Sequence, residues 1–315
     1  MSIATAGRPV GHTHLRVPPM GLGTAPLGGM YTSVSEEQAV DTVRHALEHG
    51  MSFLDTAPFY GAGRSEQYVG SALQGVPRDT YVLATKVGRL IRADGSIVYD
   101  FSRDGVLCSL EESLQRLKLD RVDILHIHDA DNHYREALDG AFPALAELRD
   151  QGVIGAVGAG MNQWEMLSDF ARNADFDCFL LAGRYTLLEQ GALDEFLPLC
   201  EQKGIGVFLG GVFNSGVLAS GSGPGAKYNY SDAPPEVTER VERIEAACAR
   251  HGVPLPTAAL QFPLAHPAVT ALLVGARSAT ENEANLAALE APMPPQLWAD
   301  LKAEGLLSEH APVPA

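Results

Sequence analysis

The sequence predicts a (β/α)8 barrel, also called a TIM barrel, which is an α/β fold of eight parallel strands each followed by a helix. Short apolar segments of strand type alternate with amphipathic segments of helical period, and this alternation repeats eight times. Parallel neighbours in a sheet need a crossover connection, which is usually a helix. Eight such units in 315 residues are typical of one closed barrel. An open doubly wound sheet is the alternative.

The eight predicted strands are short and apolar. They are Met20–Thr24, Phe53–Asp55, Val82–Lys86, Val122–His128, Ile154–Ala159, Cys178–Ala182, Val207–Gly210 and Ala271–Val274. The predicted helices are Ser35–His49, Ser65–Leu73, Ser102–Leu117, Tyr134–Gln151, Gln163–Asn173, Gln190–Lys203, Pro235–His251 and Thr280–Leu289. The first helix has clear boundaries, because Ser35 is a favourable N-cap, Glu36 and Glu37 follow it, and Gly50 ends it.

We expect one domain over residues 1–315, with the barrel core at about 18–290. Two loops, 88–101 and 213–234, are longer than a barrel requires, and the second carries Lys227, Tyr228 and Tyr230. Long loops in compact domains are often lids or binding loops.

Composition restricts the class of partner. The net charge of −16 argues against nucleic acid, whose binding depends on Lys and Arg, and no apolar run is long enough to cross a bilayer. The four cysteines, Cys108, Cys178, Cys200 and Cys248, are far apart, which favours reduced thiols. The first residues lack the apolar core of a signal peptide. We expect a cytoplasmic protein that acts on a small molecule, with its oligomeric state left open.

The segment Ser52–Gly61, S-F-L-D-T-A-P-F-Y-G, carries the first functional signal. Its apolar start is interrupted by an acid, a proline and a glycine, so Asp55 lies where a buried strand opens into a loop. Tyr60 follows five residues later. A turn acid and a core tyrosine are the structural alternative.

Two later strands also end on ionisable residues, Lys86 and His128. Because the strands of such a barrel end at one face, we expect Asp55, Tyr60, Lys86 and His128 to meet there. A tyrosine titrates near pH 10, so its use as an acid or base near neutrality requires tuning. A Lys86 ammonium paired with Asp55 would favour the Tyr60 phenolate, and His128 would hydrogen-bond the substrate oxygen or share the proton. An exposed lysine and a core histidine are the alternatives.

The motif D-T-A-x-x-Y-G, with the downstream lysine and histidine, resembles the aldo-keto reductase superfamily over roughly residues 18–289. The resemblance implies a catalytic tetrad of Asp55, Tyr60, Lys86 and His128, and direct hydride transfer with a nicotinamide cofactor. It implies that Tyr60 donates a proton to the alkoxide in reduction and that its phenolate accepts one in oxidation.

The same resemblance implies a cofactor site. Asn162 matches the asparagine of the family's Ser-Asn pair for the nicotinamide carboxamide, whereas Met161 departs from it. Ala182 stands where many members have a glutamine, and Gly210 where many have a stacking aromatic. The segment L-G-G-V-F-N-S-G-V-L would bring backbone amides to the pyrophosphate, and a flexible linker is its alternative. The implied cofactor residues are Gly23, Thr24, Asp55, Asn162, Gly210, Gly211, Val212, Asn214, Gly216, Leu218, Gly275, Arg277, Glu281 and Asn285.

The choice between NAD and NADP depends on two residues near the eighth strand. Many NADP-dependent members have an arginine at the position of Glu281, and a carboxylate there would repel a 2′-phosphate but accept hydrogen bonds from ribose hydroxyls. Arg277 favours the other cofactor, because a guanidinium can bind phosphate. We expect NAD, with NADP as the alternative.

Softer signals concern the substrate. The segments L-G-T-A-P-L-G-G-M-Y, H-I-H-D and A-G-R-Y-T-L-L are similar to the bacterial branch of aldose 1-dehydrogenases, which act on sugars such as L-fucose and D-threo-aldoses, and of pyridoxal 4-dehydrogenases. The resemblance implies oxidation of a cyclic hemiacetal to a lactone, with a general aldehyde or ketone reductase as an alternative. Expected substrate contacts are Tyr31, Phe59, Asp129 and Trp164. Core packing for the aromatics and a solvated loop acid for Asp129 are the alternatives.

Two other classes of function remain open at this point. His126 and His128 alternate on one strand and share a face, so they could bind a metal in a barrel hydrolase. A subunit that binds the cofactor as a redox sensor without catalysis is the third interpretation.

Overall fold

The computed structural model describes residues 7–30, 32–92 and 94–314. Eight parallel strands form a closed barrel in which each strand pairs with the next along the chain and the eighth pairs with the first. They are β1 (Met20–Gly23), β2 (Phe53–Asp55), β3 (Val82–Val87), β4 (Ile124–His128), β5 (Ala156–Met161), β6 (Cys178–Ala182), β7 (Gly206–Gly210) and β8 (Val269–Gly275). The predicted (β/α)8 barrel is confirmed.

Helices surround the barrel. They are α1 (Glu36–Glu48), α2 (Arg64–Ala72), α3 (Arg103–Leu117), α4 (Phe142–Asp150), α5 (Trp164–Asn173), α6 (Phe196–Lys203), α7 (Pro235–Arg250), α8 (Leu255–Gln261), α9 (Ala279–Glu290) and α10 (Pro295–Ala303). Helices α8 and α10 were not expected, and both have proline in the first turn. The Ser35 side chain caps α1 as predicted, accepting from the Gln38 amide at 3.2 Å.

The barrel interior is layered by strand alternation. Alternate side chains of a strand share a face, so Phe53 and Asp55 both point inward, as do Ala84 and Lys86. The lower layer is apolar, with Phe53 packed against Phe208 at a ring separation of 4.8 Å. A short hairpin, Arg8–Pro9 with Arg16–Val17, closes this lower end through Val10, Leu15 and Val17. The ionisable groups Asp55 and Lys86 therefore lie one layer above a mainly apolar core.

Both long loops contain structure of their own. The loop 88–101 includes the antiparallel pair Arg89–Ile91 and Ile97–Tyr99. The loop 213–234 includes a short helix, Val217–Ser220, and the antiparallel pair Lys227–Tyr228 and Ser231–Asp232. None of the described helices has both the length and the apolar character needed to cross a membrane.

Candidate active site

A cavity of about 1290 Å³ opens at the carboxyl ends of the strands. Asp55, Tyr60, Lys86 and His128 all line it, although they come from three strands and one loop. The expected meeting of these four side chains at one mouth is therefore found.

Lys86 and Asp55 form a buried ion pair at the base of this cavity. The Lys86 Nζ donates to Asp55 Oδ1 at 2.8 Å, to Oδ2 at 2.7 Å and to the Thr56 carbonyl at 2.8 Å. The two side chains are only 1% and 4% exposed. Burial is the largest single effect and acts to lower the pKa of Lys86, but Asp55 and Tyr60 together outweigh it and the pKa is raised. The lysine thus remains a fixed positive charge.

Tyr60 lies on the loop after β2, with the Lys86 ammonium 4.8 Å from its ring centre. The loop is anchored by a close backbone approach at Gly61, where φ is +64° and a Cβ would lie 2.1 Å from the Gly28 carbonyl oxygen. Burial raises the pKa of Tyr60 to about 12, while the charge of Lys86 opposes that rise. Lys86 therefore acts in the expected direction, but desolvation is larger and the free protein holds the phenol protonated.

His128 completes the group as a neutral imidazole. Burial, then the charges of Lys86 and Arg89, hold its pKa well below the ordinary value of 6.5. Its ring meets the Tyr60 ring edge-on, with the centroids 5.9 Å apart. Since Nδ1 is buried and has no partner among the described residues, Nε2 is the nitrogen suited to meet a substrate oxygen.

Sequence reasoning missed Arg89, which lines the same cavity. Gly88, at φ +95°, turns the chain immediately after β3, and Arg89 then reaches back over the mouth. Its Nη1 donates to Asp129 Oδ2 at 2.5 Å, and its guanidinium carbon lies 3.6 Å from the Phe59 ring centre. The sequence did not indicate that Arg89 lines the cavity. Its position depends on pairing with Tyr99 inside the loop, and the alternation of strand and helix segments does not show that pairing.

The expected substrate residues differ in their placement. Phe59 and Asp129 line the cavity, joined at its rim by Met30 and Tyr230. Trp164 does not: it begins α5, is half-buried and packs against the outer core, the hydrophobic cluster that joins the outward faces of the strands to the surrounding helices. Tyr31 lies outside the described residues.

Most of the expected cofactor residues border the cavity. Those lining it are Gly23, Asp55, Asn162, Gly210, Gly211, Val212, Gly216, Gly275, Arg277, Glu281 and Asn285. The Asn162 amide is oriented by donation to the Ala182 carbonyl at 2.8 Å. Ala182 and Gly210 are paired on neighbouring strands and both lack a large side chain, so the cavity is wider beside them.

Three expected cofactor residues do not line the cavity. Thr24 is buried, and its hydroxyl donates to the Asp55 carbonyl at 2.9 Å. This hydrogen bond joins Thr24 to the end of β2. Leu218 is fully buried in the outer core, and Asn214 is buried with its side chain bonded to Thr186 at 2.6 Å and Gly183 at 3.0 Å. Packing and internal hydrogen bonds occupy these three side chains, and the assignment of the three residues to the cofactor site stays a prediction.

The loop after β7 nevertheless has the shape of an anion cradle. Gly211, Asn214, Ser215 and Gly216 all have positive φ, which curls the backbone beside the cavity. The amides of Asn214, Gly216 and Leu218 already donate to carbonyls of Gly211 and Phe213 within the loop. Gly211, Ser215 and Gly216 line the cavity, and the absence of large side chains leaves the backbone of this loop open to it.

At the far end of the cavity, Arg277 and Glu281 bind each other. The Arg277 Nη2 donates to Glu281 Oε1 at 2.7 Å, and the Arg277 amide donates to Oε2 at 2.8 Å. Burial acts to raise the pKa of Glu281, but these hydrogen bonds outweigh it and the pKa is lowered. The phosphate-binding capacity of Arg277 is therefore partly used by a neighbouring carboxylate.

The metal-binding interpretation finds little geometric support. His126 is fully buried in the barrel, with its ring edge-on to Phe208 at 6.1 Å. Within residues 7–30, 32–92 and 94–314, no three His, Cys, Asp or Glu side chains are grouped as metal ligands.

Comparisons with known proteins agree with this geometry. A model of the aldo/keto reductase family matches residues 19–304. A pyridoxal 4-dehydrogenase of Microbacterium luteolum is 40% identical over 97% of this chain and 99% of its own length. A D-threo-aldose 1-dehydrogenase of a Pseudomonas species is 39% identical over 91% and 94%. The solved holo form of an aldo-keto reductase from Bacillus halodurans superposes with a TM-score of 0.80 at 26% identity, covering 97% of this chain and 99% of that one.

Proposed function

This chain belongs to the aldo/keto reductase family, and on that premise we propose that it oxidises the anomeric hydroxyl of a cyclic hemiacetal, an aldose such as L-fucose, to a lactone. Family membership makes it an NAD(P)-dependent oxidoreductase. The observation that carries the proposal is the buried Lys86–Asp55 pair beneath Tyr60 and His128 at one mouth of the barrel.

Each of the four residues has a distinct role in the proposed reaction. Tyr60 is the acid and base: its phenolate accepts the hydroxyl proton in oxidation, and its phenol donates a proton in reduction. Lys86 lowers the cost of forming the phenolate, since its charge opposes the desolvation that raises the pKa of Tyr60. Asp55 holds that ammonium in place through two hydrogen bonds. Neutral His128 orients the reacting oxygen without adding a charge.

The cleft suits a nicotinamide dinucleotide. We propose that Asn162 orients the carboxamide, that the loop around Gly211 and Gly216 holds the pyrophosphate, and that Glu281 receives the ribose hydroxyls. When bound, the nicotinamide accepts a hydride in oxidation and supplies one in reduction. The Arg277–Glu281 pair supports NAD over NADP, because a 2′-phosphate would have to displace a carboxylate from its guanidinium.

Pyridoxal is the second candidate substrate. It also forms a cyclic hemiacetal, and the 40% identical relative is named for its oxidation. The apolar rim made by Met30, Phe59 and Tyr230 fits an aromatic ring. Asp129 and Arg89, by contrast, favour a substrate with several hydroxyls, and we therefore place the aldose first.

We further propose a reducing, cytosolic setting. All four cysteines are free thiols, and Cys178, Cys200 and Cys248 are buried, which fits a compartment that keeps thiols reduced.

A substrate screen tests the proposal. Aldoses, pyridoxal and simple aldehydes are offered with NAD and with NADP, and the absorbance of the reduced nicotinamide is followed. We expect lactone-forming oxidation of at least one aldose with NAD. Cofactor binding without turnover of any substrate would support a non-catalytic subunit, and a stoichiometric zinc or manganese requirement would support a hydrolase.

A further inference from the structure

We infer that Arg89 and Asp129 together select substrates that carry a hydroxyl on the carbon next to the reacting carbon, and so discriminate aldoses from their 2-deoxy analogues. This inference rests on the proposed hemiacetal oxidation and narrows its substrate class. Arg89 was not among the site residues expected from the sequence.

Asp129 and His128 are close enough to contact neighbouring oxygens of one substrate. Asp129 Oδ2 lies 3.6 Å from His128 Nε2, the nitrogen suited to meet the reacting oxygen. Two oxygens on adjacent carbons are separated by about one hydrogen-bond length, so both groups can be met at once. If His128 holds the oxygen on the reacting carbon, Asp129 meets the oxygen on its neighbour.

Asp129 is held in place from two sides. Its backbone amide donates to the Gly160 carbonyl at 3.0 Å, and its φ of +45° is an uncommon conformation for a residue that is not glycine. Its carboxylate accepts from Arg89 Nη1 at 2.5 Å. A carboxylate oriented in this way can accept from a substrate hydroxyl without first losing rotamer freedom.

Arg89 is a donor with unused capacity. Its guanidinium carbon lies 3.6 Å from the Phe59 ring centre and 5.5 Å from that of Tyr99, so two aromatic rings hold the cation in place. Its buried Nε has no partner among the residues described. The pair therefore offers an adjacent acceptor and donor, and a hydroxyl, which both donates and accepts, satisfies the two together.

An aromatic or deoxygenated substrate would leave this pair facing an apolar group. Loss of a hydrogen bond to a charged group changes a rate or binding constant by roughly 10- to 100-fold. We expect a loss of this size in kcat/KM when the neighbouring hydroxyl is removed from the substrate.

The test compares an aldose with its 2-deoxy analogue in the full-length protein with NAD. Wild type should favour the aldose by about 10- to 100-fold in kcat/KM, and Asp129→Asn or Arg89→Met should reduce that ratio to within about threefold of unity. Asp123→Asn is the matched control: it disrupts a similarly buried pair with Arg78 at the amino end of the barrel and should keep the wild-type ratio.

The outcomes distinguish failure of this inference from failure of the proposed hemiacetal oxidation. Turnover of both sugars at similar rates by wild type, or an unchanged ratio in both site variants, contradicts the inference and leaves the proposed function standing. No turnover of either sugar contradicts the proposed function and the inference together. Because the wild-type ratio needs no variant, a variant that fails to fold does not prevent a decision.

Discussion

Lys86 donates two hydrogen bonds to the carboxylate of Asp55, at 2.8 and 2.7 Å, in a site where neither side chain is more than 4% exposed. This geometry fixes a positive charge under Tyr60 at a place where desolvation alone would hold the phenol protonated. The chemistry proposed for the cavity depends on that charge.

Removing one member of this pair should destabilise the fold. Asp55→Asn leaves a buried ammonium without its partner, and Lys86→Met leaves a buried carboxylate, so each should lower the free energy of unfolding by about 3–5 kcal/mol. The double variant should recover much of that loss while staying inactive. Denaturant unfolding measures all three, with Arg103→Met as the control: it breaks an exposed pair with Glu147 and should cost less than about 1 kcal/mol. Single variants as stable as wild type would contradict this.

The rate of oxidation should rise with pH. Tyr60 must be a phenolate to accept the proton, and because burial raises its pKa to about 12, the phenolate fraction increases about tenfold per pH unit below that value. We therefore expect kcat/KM for oxidation to increase throughout the range of about pH 6 to pH 9. Reduction, which uses the protonated phenol, should change little over the same range. A flat or falling oxidation profile would argue against Tyr60 as the base.

The cofactor preference should respond to Glu281. Glu281→Arg removes the carboxylate that engages Arg277 and adds a second guanidinium, so NADP affinity should rise relative to NAD by about tenfold or more. Fluorescence titration with both cofactors measures the ratio. Glu283→Arg is the control, because it makes the same charge change at an exposed position of α9 outside the cavity. An equal ratio in wild type and Glu281→Arg would refute the assignment of this end of the cavity.

His126 should make the native state sensitive to acid. Burial and the charge of Lys86 hold its pKa well below the ordinary value of 6.5. The unfolded chain therefore takes up a proton that the native chain refuses, and stability is present above about pH 6.5 and lost below it. His126→Leu should gain about 1–2 kcal/mol relative to wild type between about pH 7 and pH 5. Thermal and denaturant unfolding across this range decide the point, with the exposed His14→Leu as control. Parallel curves for wild type and His126→Leu would exclude this effect.

The barrel could be predicted from sequence because its strands are short apolar segments set off by turn residues. Cys178–Ala182 and Phe53–Asp55 are found with the predicted boundaries. Other strand ends shift by one or two residues, as at β8, where the predicted Ala271–Val274 extends to Val269–Gly275. The periodicity does not specify where pairing stops. Helices α8 and α10 were not predicted because they lie outside the eight strand–helix units, and each has a proline in its first turn.

The candidate site was predictable where side chains occupy strand ends and unpredictable where loops fold back. Lys86 and His128 follow from their strand positions, and the cavity brings them together. Gly88 marks the turn before Arg89, but the position of Arg89 also depends on long-range pairing with Tyr99, which has no local signal. Thr24 and Leu218 carry small or apolar side chains that suit either a ligand or the core, and only burial distinguishes the two.

The most direct test of the central claim is a comparison of turnover and cofactor binding in Tyr60→Phe. This variant keeps the ring and removes the hydroxyl, so we expect the rate of reduced nicotinamide formation to fall by at least about 100-fold. The dissociation constant for NAD, measured by fluorescence titration, should change less than about threefold, because the aromatic surface remains. Turnover at the wild-type rate in Tyr60→Phe would remove the proposed acid and base and contradict the mechanism.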